Sequence, residues 1–194
     1  MKTLILHIGD SSKDFLKSIY QEIPQKTVIS DFIPREVLIT EIENHDAIII
    51  MGNGGNDGVW GEKLMDANFI DSSILNYLKL KKSLIFIWFN AHKFLVENRF
   101  QHQNMICTGM FISEPLEAIF LDNKIQNPEI DYYEQMIEAS NFVFADILGS
   151  LLNEYGFQNL KLIHSELKRK YFNLTIQNEV AVFNFERLYC NLNN

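Results

Sequence analysis

Two runs of this chain, at 46–51 (Asp-Ala-Ile-Ile-Ile-Met) and 83–88 (Ser-Leu-Ile-Phe-Ile-Trp), are apolar at nearly every position. A strand sends alternate side chains to opposite faces, so a run without alternation has to be covered on both, as a central strand of a parallel sheet is. Around these runs, further strand signals alternate with segments of helical periodicity, which is the pattern of a sheet with helices on both sides. Residues 3–8 read as a first strand, followed by a turn and cap at Gly9-Asp10-Ser11-Ser12 and a helix with Phe15, Leu16, Ile19 and Ile23 inward. Residues 27–30 read as an edge strand, and Pro34 suits the first position of a helix that runs to Asn44.

After the run at 46–51, a third helix capped by Asp71 or Ser72 turns Ile74, Leu75 and Leu78 inward. A fourth helix is expected over 91–100, a fifth strand over 106–112 and a helix over 114–121 with Pro115 at its start. Beyond Pro128 the strand signals stop: a long helix spans about 129–152, another about 158–170, and 179–189 fits strand or helix equally. The expected fold is α/β, a three-layer αβα structure on a mainly parallel, doubly wound sheet with strand order 2-1-3-4-5 and additional C-terminal helices. A single domain over 1–194 follows, with a sheet core at 1–122 and a C-terminal helical part at 128–194 packed upon it. In that order the crevice opens between the first and third strands, where the loops at 9–12 and 52–58 converge beside 89–92.

The formal net charge of −8 and an isoelectric point near 5.1 argue against nucleic acid as a partner, because phosphate binding needs clustered lysine and arginine. The basic run at 161–170 alternates with Leu162, Ile163 and Leu167 and reads as a solvated helix face. Cys107 and Cys190, the only two cysteines, have no partner at metal-ligand spacing, so neither a metal nor another cofactor is expected. No apolar window reaches the length of a membrane span, and the opening residues have no signal-peptide pattern, so a cytoplasmic location without membrane contact is the expectation.

Gly52-x-Gly54-Gly55-x-x-Gly58 is the conspicuous loop motif. Glycines let backbone N–H groups approach an anion, but neither the dinucleotide fingerprint nor the P-loop pattern is met, so a plain turn is the simpler reading. Asp10, Ser11, Asn53, Gly54, Gly55, Asn90 and His92 are the candidate ligand-binding residues, since all lie on the three converging loops. Capping and turn formation account for Asp10 and Ser11 more cheaply, and His92 also suits a surface or capping role. Trp88 reads as core, and Trp60, in a long glycine-rich loop, would be a contact residue for a ligand or partner if exposed.

One strand ending in Met51-Gly52-Asn53-Gly54 and the next in Ile87-Trp88-Phe89-Asn90-Ala91-His92 has a family resemblance. The pattern is similar to that of caspase-like cysteine peptidases, including gingipains, separase and CHAT domains, and to a bacterial caspase-like family whose two strands end in Met-Gly-His-Gly and Ile-Trp-Cys-Asn-Ala-Asp. The resemblance extends to Leu6-His7-x-x-Asp10, Asp14-Phe15-Leu16, the 108–114 segment, Ser140-Asn141 and Asn184-x-Glu186-Arg187-Leu188-Tyr189. It implies a caspase-like, flavodoxin-like sheet with the histidine position occupied by Asn53 and the cysteine position by Phe89. Asparagine does not titrate and phenylalanine has no nucleophilic atom, so no catalytic residue remains at either place.

Three readings follow. The first is a catalytically inactive caspase-like domain, a pseudopeptidase that binds a protein or peptide or regulates a relative by pairing, with a homodimer as the form the resemblance allows. The second is a small-molecule or nucleotide-like ligand held by the loop at 52–58 and the helix start at Ser11. The third is a hydrolase with a rearranged site around His7, His92 and Asp10. A substitute dyad of His7 and Cys107 is conceivable, although Cys107 reads more simply as a small core residue.

Overall fold

The computed structural model describes residues 1–9, 11–60, 68–115, 117, 130–175 and 178–191. The chain enters through β1 (Thr3–Ile8), turns through a 3-10 segment (Ser11–Leu16) into the single turn α1 (Lys17–Tyr20), and returns as β2 (Lys26–Ile29). Then come α2 (Arg35–Asn44), β3 (Ala47–Gly52), and a short hairpin of β4 (Gly54–Gly55) and β5 (Gly58–Val59). A 3-10 turn (Ser72–Ile74), α3 (Leu75–Leu78), β6 (Ser83–Ile87), α4 (Ala91–Glu97) and β7 (Met105–Thr108) complete the alternating part. The rest consists of α5 (Ile130–Tyr155), α6 (Leu160–Thr175), α7 (Glu179–Glu186) and β8 (Leu188–Cys190).

The sheet has six strands in the order β2-β1-β3-β6-β7-β8. The first five are parallel, as expected from the uninterrupted apolar runs, and β8 closes the far edge antiparallel to β7. Alternate residues sort cleanly between two cores, because side-chain direction in a strand has period two. Ile5, Ile49, Ile85 and Ile106 face α1, α5 and α6, where Phe144, Leu148, Leu151 and Leu167 pack on them. Leu4, Ile48, Leu84 and Cys107 face the other layer with Leu38, Leu78 and Phe94. Each fully buried Leu, Ile or Phe side chain contributes about 1.5–3 kcal/mol. The C-terminal helices therefore form one of the two layers of the sheet. Among the described residues, no helix is long and apolar enough to cross a membrane.

Several local expectations are corrected. The fifth strand ends at Thr108, not at residue 112, because Gly109 donates to Arg187 O (2.7 Å) and accepts from Asn90 N–H (2.7 Å), which turns the chain out of the sheet. The fourth helix ends at Glu97 instead of residue 100; Arg99, at φ 52°, carries the chain away. Strand signals do not stop at Pro128: 179–189 divides into α7 and the edge strand β8, whose identity comes from pairing with β7. The helix expected at 114–121 lies largely outside the described residues.

Candidate functional site

β3 ends in a glycine for a steric reason. Gly52 has φ 142°, and a Cβ built there would sit 1.5 Å from Ile8 O, so no other residue fits between the ends of β1 and β3. Asn53 N–H then donates to Ile8 O (3.0 Å). The following glycines serve close aromatic packing: a Cβ at Gly54 would lie 2.6 Å from Trp88 Cδ1, and one at Gly55 would lie 2.6 Å from Trp60 Cζ2. Trp88 Nε1–H donates to Gly55 O (3.1 Å), tying the hairpin to the end of β6. Trp88 is buried, as expected, whereas Trp60 is half-buried with its Nε1–H donating to Asp57 Oδ1 (3.0 Å).

A cleft of about 280 Å³ lies at the carboxyl ends of β3 and β6, beside the 3-10 turn that follows β1. Asn53, Gly54 and Phe89 line it, together with Trp60, Phe15 and Phe111. Its polar side is a cluster that sequence reasoning did not identify. Lys13, whose side chain is only 6% exposed, pairs with Glu114 Oε1 at 2.5 Å and donates to Ser113 Oγ (2.9 Å). Glu117 Oε2 accepts from Ser113 N–H (2.6 Å), Ser113 Oγ (3.2 Å) and Glu114 N–H (3.0 Å). Burial pushes the Glu117 carboxyl up, against the opposing pull of those backbone N–H donors and of Lys13. The partners Lys13 and Glu114 are 101 residues apart, and nothing in the local sequence of either marks the pairing. The segments Asp14-Phe15-Leu16 and 108–114, which carry the resemblance, adjoin or include these residues but do not say that they pair.

No family model, curated protein or solved structure matches the chain.

The other candidates disperse. Asn90 adopts φ 66° at the N-cap of α4 and makes its backbone bond to Gly109. His92 stacks on Tyr189 at 3.9 Å between ring centroids, toward the β8 edge, and neither residue is among those lining the cleft. Burial lowers the pKa of His92. Ser11 opens the 3-10 turn beside the cleft, and Asp10 lies outside the described residues. His7 and Cys107 belong to opposite faces of the sheet: His7 reaches Tyr20 Oη (2.9 Å), while Cys107 is buried with Leu84 and Phe86. That dyad is not assembled, and burial raises the pKa of the Cys107 thiol, which keeps it protonated. Among the described residues no group of three or more His, Cys, Asp or Glu is placed to hold a metal.

His7 also gives a pH prediction. Burial lowers its pKa against the raising effect of its hydrogen bond to the Lys13 backbone. The unfolded chain then binds the proton first, so stability present above the ordinary histidine value is lost as pH falls through the window between the two states' pKa values. An NMR titration of the His7 imidazole is expected to give a midpoint below the ordinary 6.5; a midpoint at or above that value would contradict it.

Proposed function

We propose that this chain is a caspase-like domain without peptidase chemistry, a pseudopeptidase that binds a peptide segment of a protein partner in the cleft beside Asn53 and Phe89. The observation that supports this most is that these two residues, assigned by resemblance to the histidine and cysteine positions, line the same cleft at the ends of β3 and β6. An amide and a phenyl ring supply neither base nor nucleophile. The rings of Phe15, Trp60, Phe89 and Phe111 offer the apolar, rigid wall that peptide side chains favour. A nucleotide-like anion has less support: the Asn53 N–H is spent on Ile8 O, the loop glycines seat tryptophan rings, and Glu114 and Glu117 line the opposite side.

Restoring the family residues tests the reading. The F89C variant and the N53H/F89C pair are treated with a peptidyl acyloxymethyl ketone and with iodoacetamide, and labelling at position 89 is followed by mass spectrometry. An imidazole placed to take the thiol proton should raise the rate with the peptidyl probe by at least about tenfold over F89C alone. Equal rates for the two variants, with no preference for the peptidyl probe, would sink the proposal. Cys107 supplies little background because it is fully buried.

A further inference from the structure

β2 is the outermost strand on its side of the sheet, and among the described residues no strand pairs with its outer edge. In a parallel pair, alternate residues turn their N–H and C=O toward the neighbouring strand and the others turn them away. Thr3 N–H donates to Gln25 O (3.3 Å), so with Thr3 opposite Lys26 it is the backbone of Thr27 and Ile29 that faces β1. The N–H and C=O of Lys26 and Val28 therefore point outward. Such a row is a template for another strand, and proteins commonly blunt it with a lysine or a proline on the edge. Here the lysine is drawn back: Lys26 Nζ donates to Gln21 O (2.8 Å) and Ile23 O (3.2 Å) in the turn that precedes the strand. Val28 is left 41% exposed and Phe32, which rests edge-on against Phe69, is 66% exposed.

The charges along this edge say which strand fits. Its amino end carries Lys2 and Lys26 against the single carboxylate of Glu22, while its carboxyl end carries Asp31 and Glu36, since Arg35 is taken up by Asp71 (2.7 Å). A parallel neighbour of the same sequence would set like ends side by side, whereas an antiparallel one sets the positive end of each against the negative end of the other. We infer that the chain pairs with a second copy of itself through β2, antiparallel about a two-fold axis at Val28, so that the two sheets become one. About that axis the two Val28 residues exchange N–H···O bonds, and Lys26 lies opposite Ser30 of the second copy, beside its Asp31. The exposed side chains of Val28 and Phe32 leave water in the same step. The inference does not rest on the peptide-binding reading, because no residue of 26–32 lines the cleft.

Analytical ultracentrifugation of the full chain tests it. A reversible species of twice the 22.6 kDa chain mass should form with a Kd at or below about 100 µM. Val28→Pro removes the outward N–H and no bond to β1, and Phe32→Glu puts a charge where the apolar ring stood; each should weaken pairing about tenfold or more. A cross-link reads the register without depending on either variant. In a Cys190→Ser background, Val28→Cys should form a disulfide-linked dimer on mild oxidation, because facing residues of a hydrogen-bonded antiparallel pair have Cα atoms about 5.5 Å apart. Ser30→Cys in that background lies off the axis and should cross-link far less. A monomer at every concentration, a dimer that neither Val28→Pro nor Phe32→Glu weakens, or equal cross-linking at positions 28 and 30 would overturn the inference.

Discussion

Asn184→Leu is expected to cost the fold about 3 kcal/mol, although the two side chains are close in size. Asn184 is fully buried on α7, and its amide acts as a backbone mimic: Oδ1 accepts from Ile112 N–H (2.7 Å) and Nδ2 donates to Ile112 O (2.8 Å). Leucine would leave both backbone groups dry and unpaired. The same amide reaches Ser140 Oγ (3.3 Å), which bonds Tyr171 Oη (2.5 Å), so α5, α6 and α7 are joined by one buried polar chain. Urea denaturation should show the midpoint falling by about 1 M or more. Ile112 lies between Phe111 and Ser113, both on the cleft wall, so the variant should also weaken whatever the cleft binds. A midpoint within about 0.3 M of the parent's would mean that the residue is not holding that segment.

The second large effect is expected at Gly52. Any side chain there must push against Ile8 O, a ladder atom at the end of β1, and must also adopt φ 142°. Gly52→Ala is expected to lose about 4 kcal/mol or more, a large part of the stability of an ordinary domain. Gly156→Ala serves as the comparison: its φ is 65°, nothing lies within 4 Å of the added Cβ, and the backbone cost alone is about 1–2 kcal/mol. Thermal melts by circular dichroism separate the two. A Gly52→Ala melting point as high as that of Gly156→Ala would show that β1 and β3 can part at their ends without harm.

The layers of the fold were legible because they follow from short-range patterning. The unalternating runs that became β3 and β6 admit only a strand covered on both sides, and Phe15, Leu16 and Ile19 could repeat at helical spacing only if one helical face met the core. The order β2-β1-β3-β6-β7 follows from the same rules for parallel crossovers. The edge strand β8 was not legible, since three residues with mixed polarity become a strand only when β7 offers its open edge. Of the site, Asn53, Gly54 and Phe89 could be placed because strand ends in such a sheet converge at a known place.

The opposing wall could not be placed. Lys13 with Glu114, and Ile112 with Asn184, are joined across 101 and 72 residues, and although the segments 14–16, 108–114 and 184–189 carry the resemblance, nothing in them says which residues pair. What the sequence by itself determined is the αβα sheet and the ends of β3 and β6, because burial on two faces leaves its mark residue by residue. What only the tertiary structure decided is which polar groups face those ends and which, like Asn141 Oδ1, are left without a partner among the described residues. Hydrogen bonds and ion pairs depend on distances of a few ångströms between segments that the chain brings together only by folding.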